Sequence, residues 1–109
     1  MSATSGPAHS AIGSFAPKLV ELTDETLFND VWSRPELPAR DRSLITVAAL
    51  ITLGRSDQLR FHLHKAFENG ATLEELVEAV THLAFYAGWP AAMTAISVLR
   101  EVADENAAG

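Results

Sequence analysis

The sequence predicts an all-α domain of five or six helices, and three observations carry that prediction. No stretch alternates apolar and polar residues with the period of two that a half-buried strand requires. Helix signals recur in order, with Pro38, Thr72 and Pro90 at starts and Gly54, Gly70 and Gly88 at stops. The apolar residues make up 48% of the chain but only 7% of it is aromatic, so the core is built from Ala, Leu, Val and Ile, which suit closely packed helices.

Residues 1–16 mix Ser, Ala, Gly, Pro and Thr without periodicity and read as a flexible tail, leaving 17–106 as the folded domain. A short helical turn is expected from Pro17. Thr23 is placed to cap a helix over Asp24–Trp32, whose early acids suit the helix dipole, and Arg34-Pro35 ends it. Pro38 opens the next helix, which runs through Leu44–Leu53 to Gly54 and is apolar on nearly all sides, so a central position is expected. Ser56 or Asp57 starts a helix to Asn69, stopped by Gly70. Thr72-Leu73-Glu74-Glu75 has the form of a capping box and starts a helix to Ala87, with Gly88 as its stop. Pro90 begins the last helix, to about Asn106.

Composition narrows the function. With 109 residues, one small core buries about 60–68% of the unfolded surface, and such a chain gains from covering apolar surface between subunits. Net charge is −6 and the eight Lys and Arg residues are scattered, which argues against nucleic acid as a partner. The absence of cysteine removes disulfides, thiolate metal sites and thiol redox chemistry. Leu44–Leu53 is too short for the ~20 residues of a membrane span, no signal peptide is legible, and the chain reads as cytoplasmic.

Histidines are the first candidates for proton transfer. His9 lies in the tail. His62 and His64 are two apart on one helix, so they point in roughly opposite directions and cannot share a metal. His62 borders the apolar face, while His64 sits with charged neighbours toward water. Arg55, Gln58 and His62 follow one stripe and could grip a carboxylate, with an Arg55 ion pair and a solvated Gln58 as the alternative. His82 lies one turn after Glu78 and one before Tyr86, a spacing for a tautomer-fixing pair and a proton path, or for a core imidazole bonded to a carbonyl. Trp32 and Trp89 fit packing or a substrate platform. No serine-nucleophile elbow, phosphate loop or His-Glu-x-x-His motif is present.

Five ordered blocks point to a family: Val31-Trp32-Ser33-Arg34-Pro35-Glu36-Leu37; Arg42-Ser43-Leu44; Leu53-Gly54-Arg55; Glu68-Asn69-Gly70-Ala71-Thr72-x-Glu74-Glu75-Leu76; and His82-x-Ala84-x-Tyr86-Ala87-Gly88-x-Pro90-Ala91-Ala92. Over about residues 17–105 the chain resembles the carboxymuconolactone decarboxylase family. The resemblance implies an alkylhydroperoxidase D-like helical bundle that assembles as a homotrimer or homohexamer. One branch of that family reduces peroxides with a Cys-x-x-Cys pair and a following histidine. Aligned on His62, the cysteine positions carry Arg55 and Gln58, so the peroxidase chemistry is not expected.

The other branch removes carbon dioxide from a carboxylated lactone without a metal or organic cofactor. The resemblance therefore implies a small-molecule carboxylate as substrate in aromatic-compound catabolism. Arg55 with Arg34 or Arg42 would hold a carboxylate, with Gln58 on the same stripe. Tyr86 or Trp89 would stabilise the enolate oxygen, and His62 or His82 would deliver the proton. Decarboxylases that the chain resembles usually read Tyr-Ala-Gly-Val-Pro-Ala-Ala, with a valine where Trp89 stands, and an indole there would narrow or reshape the pocket. A non-catalytic, small-ligand-binding oligomeric subunit is the alternative from another class.

Overall fold

The computed structural model describes residues 12–108, in two compact units that divide after Pro38. His9 and most of the expected tail, residues 1–11, lie outside the described residues. Among the described residues every regular element is helical.

In the first unit, helix α1 spans Pro17–Glu21, with proline at its start as φ-restricted proline allows. The sequence predicts a separate helix after it, capped by Thr23. Instead α1 runs without a break into a wider, π-type turn over Leu22–Phe28, in which the Asn29 amide donates to the Asp24 carbonyl at 3.2 Å. Thr23 lies inside this continuous run, its hydroxyl donating back to the Leu19 carbonyl at 2.7 Å, so it does not stand at the non-helical position of a cap for a new helix at Asp24. Phe28 and Trp32 stack at 6.2 Å between ring centroids. A single 3₁₀ turn over Val31–Ser33 ends at an extended Arg34, as the following proline dictates.

The second unit is a four-helix arrangement: α2 Ala39–Leu53, α3 Ser56–Glu68, α4 Leu73–Leu83 and α5 Trp89–Ala108. Two glycine stops behave as expected. Gly54 has φ +71°, its amide donates to Ile51 and the Arg55 amide donates to Leu50 at 3.0 Å, the paired bonds of a Schellman turn. Gly70, at φ +100°, repeats the pattern with Phe67 and Ala66. The capping box is formed, with the Glu75 amide 3.1 Å from Thr72 Oγ1 and the Thr72 amide 3.0 Å from Glu75 Oε1.

Three further expectations need correcting. Helix α4 stops at Leu83, not Ala87, because residues 84–87 tighten into turns whose amides reach only three or four residues back. Gly88, at φ +104°, opens α5 by accepting the Ala92 amide, and does not close α4. Helix α2 buries one stripe, Ser43, Val47 and Ile51, spaced four apart. Ile45 and Leu53 on its other sides are 59% and 69% exposed, so α2 is not enclosed within this chain.

The core joins all four helices of this unit, with Val47, Leu63, Leu76, Leu99 and Val102 almost wholly buried. Helix α3 packs against both α2 and α5. Beside this core, Asn69 Nδ2 donates to the fully buried Ser43 Oγ at 3.0 Å and ties the end of α3 to the start of α2.

Candidate functional site

The Schellman turn after α2 sets the first element of the site. Because Arg55 follows Gly54, its amide is fixed to Leu50, while its carbonyl accepts the Leu59 amide at 2.8 Å and starts α3. The guanidinium is thus carried by a backbone held from both sides. Arg55 lines a cavity of about 390 Å³ between the α2–α3 turn and the start of α5. Leu50, Ile51, Leu59, Pro90 and Ala95 supply apolar wall, and Ser56 and Thr94 supply hydroxyls. Arg55 is the one charged residue on this lining and makes no ion pair among the described residues.

A second cleft, about 430 Å³, runs between α2 and α4 and is lined by Arg40, Glu75, Glu78 and His82 over Leu44, Ala48, Ala79 and Leu83. Arg40 is engaged twice, with Glu75 of the capping box and with Asp41 at 2.8 Å. The Glu75 carboxyl is held below the usual carboxylate range by the Thr72 amide first and by Arg40 second. Glu78 leaves this cleft with one more carboxylate than guanidinium, so it does not favour an anion. His82 stacks on Tyr86, with centroids 4.9 Å apart and rings 29° from parallel. No hydrogen bond joins His82 to Glu78 or Tyr86 among the described residues.

His62 is half-buried on α3 with its Nδ1 closed off from solvent, and the ring meets Phe61 edge-on at 5.0 Å. Burial first, and the Lys65 charge second, push its pKa below the ordinary histidine value. The unfolded chain therefore takes up a proton before the folded one does. Stability should fall as pH drops from about 6.5 toward the depressed value, and be unaffected by this group above that window. Urea midpoints at about pH 7.5 and about pH 5.5 check this: the wild type should lose more than His62→Gln. An equal loss would remove His62 as the cause.

His64 is on the other side of α3, where its Nε2 lies 3.0 Å from Glu105 and Arg60 reaches Glu101 and Glu105. These partly exposed pairs join α3 to α5. Trp89 meets Phe85 edge-on at 5.3 Å and lines a third, apolar cavity of about 170 Å³ with Val80, Ala84, Ala92, Met93 and Ile96.

The eight residues singled out from sequence are therefore not gathered in one cavity. Arg55, His82 and Trp89 each line a different one, and Gln58, His62, Tyr86 and Arg42 line none of these three. Arg34 belongs to the first unit, where it lies 3.6 Å from Glu36. Gln58 is exposed, and Arg42 is partly buried on α2 with its carbonyl accepting from Thr46. No three His, Asp or Glu side chains among the described residues converge as metal ligands. Sequence reasoning overlooked Ser56 and Thr94 on the Arg55 cavity and Arg40 beside His82. Ser56 adjoins Arg55 and was findable, whereas Thr94 arrives only through the packing of α5.

Comparison with known proteins gives a consistent result. The model of the Carboxymuconolactone decarboxylase family matches residues 17–101. A protein of Acinetobacter baylyi named 4-carboxymuconolactone decarboxylase is 49% identical over 75 residues, covering 69% of this chain and 56% of that protein. Nitrosuccinic acid decarboxylase of Metarhizium robertsii is 35% identical over 85 residues, covering 78% of this chain and 59% of the relative. An uncharacterised 15.0 kDa protein of Paracoccus denitrificans is 30% identical, covering 75% and 63%. The matches thus span less than two thirds of each of these relatives.

Proposed function

Because the chain belongs to the carboxymuconolactone decarboxylase family, we propose that it is a carboxy-lyase that needs no cofactor and acts on a small carboxylated lactone of the 4-carboxymuconolactone type. Two of its relatives are named decarboxylases. The structural observation that carries the reading is the Arg55 cavity: a lone guanidinium on an otherwise uncharged, mostly apolar cleft of small-molecule size. Arg55 pairs with the carboxylate that the substrate keeps, and the apolar wall receives the carboxylate that leaves.

In the reaction, the bond between the γ carbon and the departing carboxylate breaks. Its electron pair runs through the ring double bond to the lactone carbonyl, giving carbon dioxide and a dienolate, which takes one proton at the α carbon. The substrate is its own electron sink. An imidazole, His62 or His82, brought to the cavity by a second copy of the chain in the assembly, supplies the proton, and Tyr86 stacked on His82 orients that ring. Phe85, Tyr86, Trp89 and Met93 are all more than half exposed, which supports self-association as a homotrimer or homohexamer in a cytoplasmic enzyme of aromatic catabolism.

The test is turnover. Purified protein given 4-carboxymuconolactone should release carbon dioxide with loss of ultraviolet absorbance, and removing the proton-donating histidine should lower kcat by about 10²–10⁴-fold. No turnover at high enzyme concentration would sink the reading. One observation favours a second reading, a subunit that binds carboxylates without converting them: no imidazole lines the Arg55 cavity in this chain. Tight binding of the lactone acid without carbon dioxide release would select it.

A further inference from the structure

Inside the helices of the second unit, threonine hydroxyls have a regular habit. Thr46 donates to Arg42 at 2.8 Å, Thr52 to Ala48 at 2.9 Å and Thr81 to Val77 at 2.8 Å, each to the carbonyl one turn back. On α5 itself Ser97 does the same toward Met93 at 3.2 Å. Thr94 is the exception. Its hydroxyl makes no such bond to Pro90, nor any other among the described residues, and Thr94 lines the Arg55 cavity. Across the cavity stands Ser56, the first residue of α3, whose hydroxyl is likewise unengaged and where no side chain caps the helix.

The cavity therefore presents one guanidinium and two uncommitted hydroxyls, with no carboxylate and with apolar residues around them. A simple carboxylate uses the guanidinium and leaves both hydroxyls idle. A ring ester beside the carboxylate uses all three. The geometry points to Thr94, with Ser56 opposite, as the hydrogen-bond clamp for the ring-ester oxygens of a small γ-lactone carboxylate whose acid group sits on Arg55. The clamp makes Thr94 the residue that separates lactone acids from other acids of the same size. Its bond also strengthens as charge builds on the carbonyl oxygen during decarboxylation. The assignment of the reaction rests on the function proposed above, but the recognition does not need turnover.

Binding is measured by calorimetric or NMR titration with (5-oxotetrahydrofuran-2-yl)acetate, whose acid matches the one the substrate keeps, and with cyclopentylacetate, which has the acid and the ring but no ester. Wild type should prefer the lactone acid. Thr94→Val keeps the shape without the hydroxyl and should weaken the lactone acid about 5-fold while changing cyclopentylacetate by less than about 2-fold. Thr94→Ser, which keeps the hydroxyl, should retain the preference, and thermal melts confirm that both variants are folded. Equal weakening of both acids by Thr94→Val, no weakening, or no preference in wild type would overturn the clamp. Thr94-dependent binding without turnover of 4-carboxymuconolactone upholds the clamp and removes the decarboxylase reading. Turnover with Thr94→Val equal to wild type removes the clamp and leaves the decarboxylase.

Discussion

Arg55→Gln is expected to lower kcat/KM for 4-carboxymuconolactone roughly 10²-fold, mostly through KM. In the proposed reaction the substrate keeps its second carboxylate throughout, so an Arg55 pairing would be equally present in ground and transition states and lost equally from both. Glutamine preserves hydrogen-bonding capacity but removes the only charge on the cavity lining. Arg55→Lys should recover part of the loss and no more, since an ammonium cannot offer the paired N–H fork. Steady-state kinetics of the three proteins decide the matter. An unchanged KM in Arg55→Gln would move the carboxylate site elsewhere. Arg55 makes no ion pair among the described residues, so little loss of stability accompanies either change.

The second large effect concerns stability. Leu63 is 1% exposed and lies on α3, the helix that packs against both α2 and α5. Leu63→Ala should cost about 2–5 kcal/mol, the transfer loss of the side chain plus the void it leaves. For a domain this small that is a large share of the ~5–15 kcal/mol available to folded proteins. Urea unfolding should show a lower midpoint with a similar slope. A loss under about 1 kcal/mol would mean that the surrounding helices collapse into the space. Leu53→Ala is the control, because Leu53 is exposed in this chain.

How far the fold is legible in the sequence depends on whether one residue type has one available role. Gly54 and Gly70 follow helices whose last carbonyls need left-handed partners, and both take that conformation. Thr72, followed three residues later by Glu75, forms its capping box. Thr23 has two roles open, capping forward or donating back, and the choice is made by where the preceding helix ends, which the sequence does not mark. Gly88 resembles a stop because it comes after an apolar run. Its carbonyl instead serves the first turn of α5, and the run ends earlier in tight turns.

The site divides along the same line. Arg55 is legible because a glycine stop and a helix start enclose it. Helical spacing also separates His62 from His64 correctly, because it fixes directions around one axis. It does not say which groove between two axes a side chain enters. That is why His82 and Arg55, both reasonable candidates, line different cavities. Thr94 has no local signature, and its distinction is a bond that it does not make.

The α2–α3 hairpin is tied at both ends, by the Schellman turn at Gly54 and by the bond from Asn69 to Ser43. Those ties make one wall of the Arg55 cavity a fixed jaw. The other wall, at Pro90, Ala91 and Thr94, follows the turns over residues 84–87 and Gly88, outside any regular helix until Trp89. Adjustment to ligands of different girth is expected in the turns that precede α5, with amide exchange slow at Leu59 and Leu63 and fast around Gly88. In the proposed carboxylate site, the breadth of acids accepted would follow how far those turns let the start of α5 move.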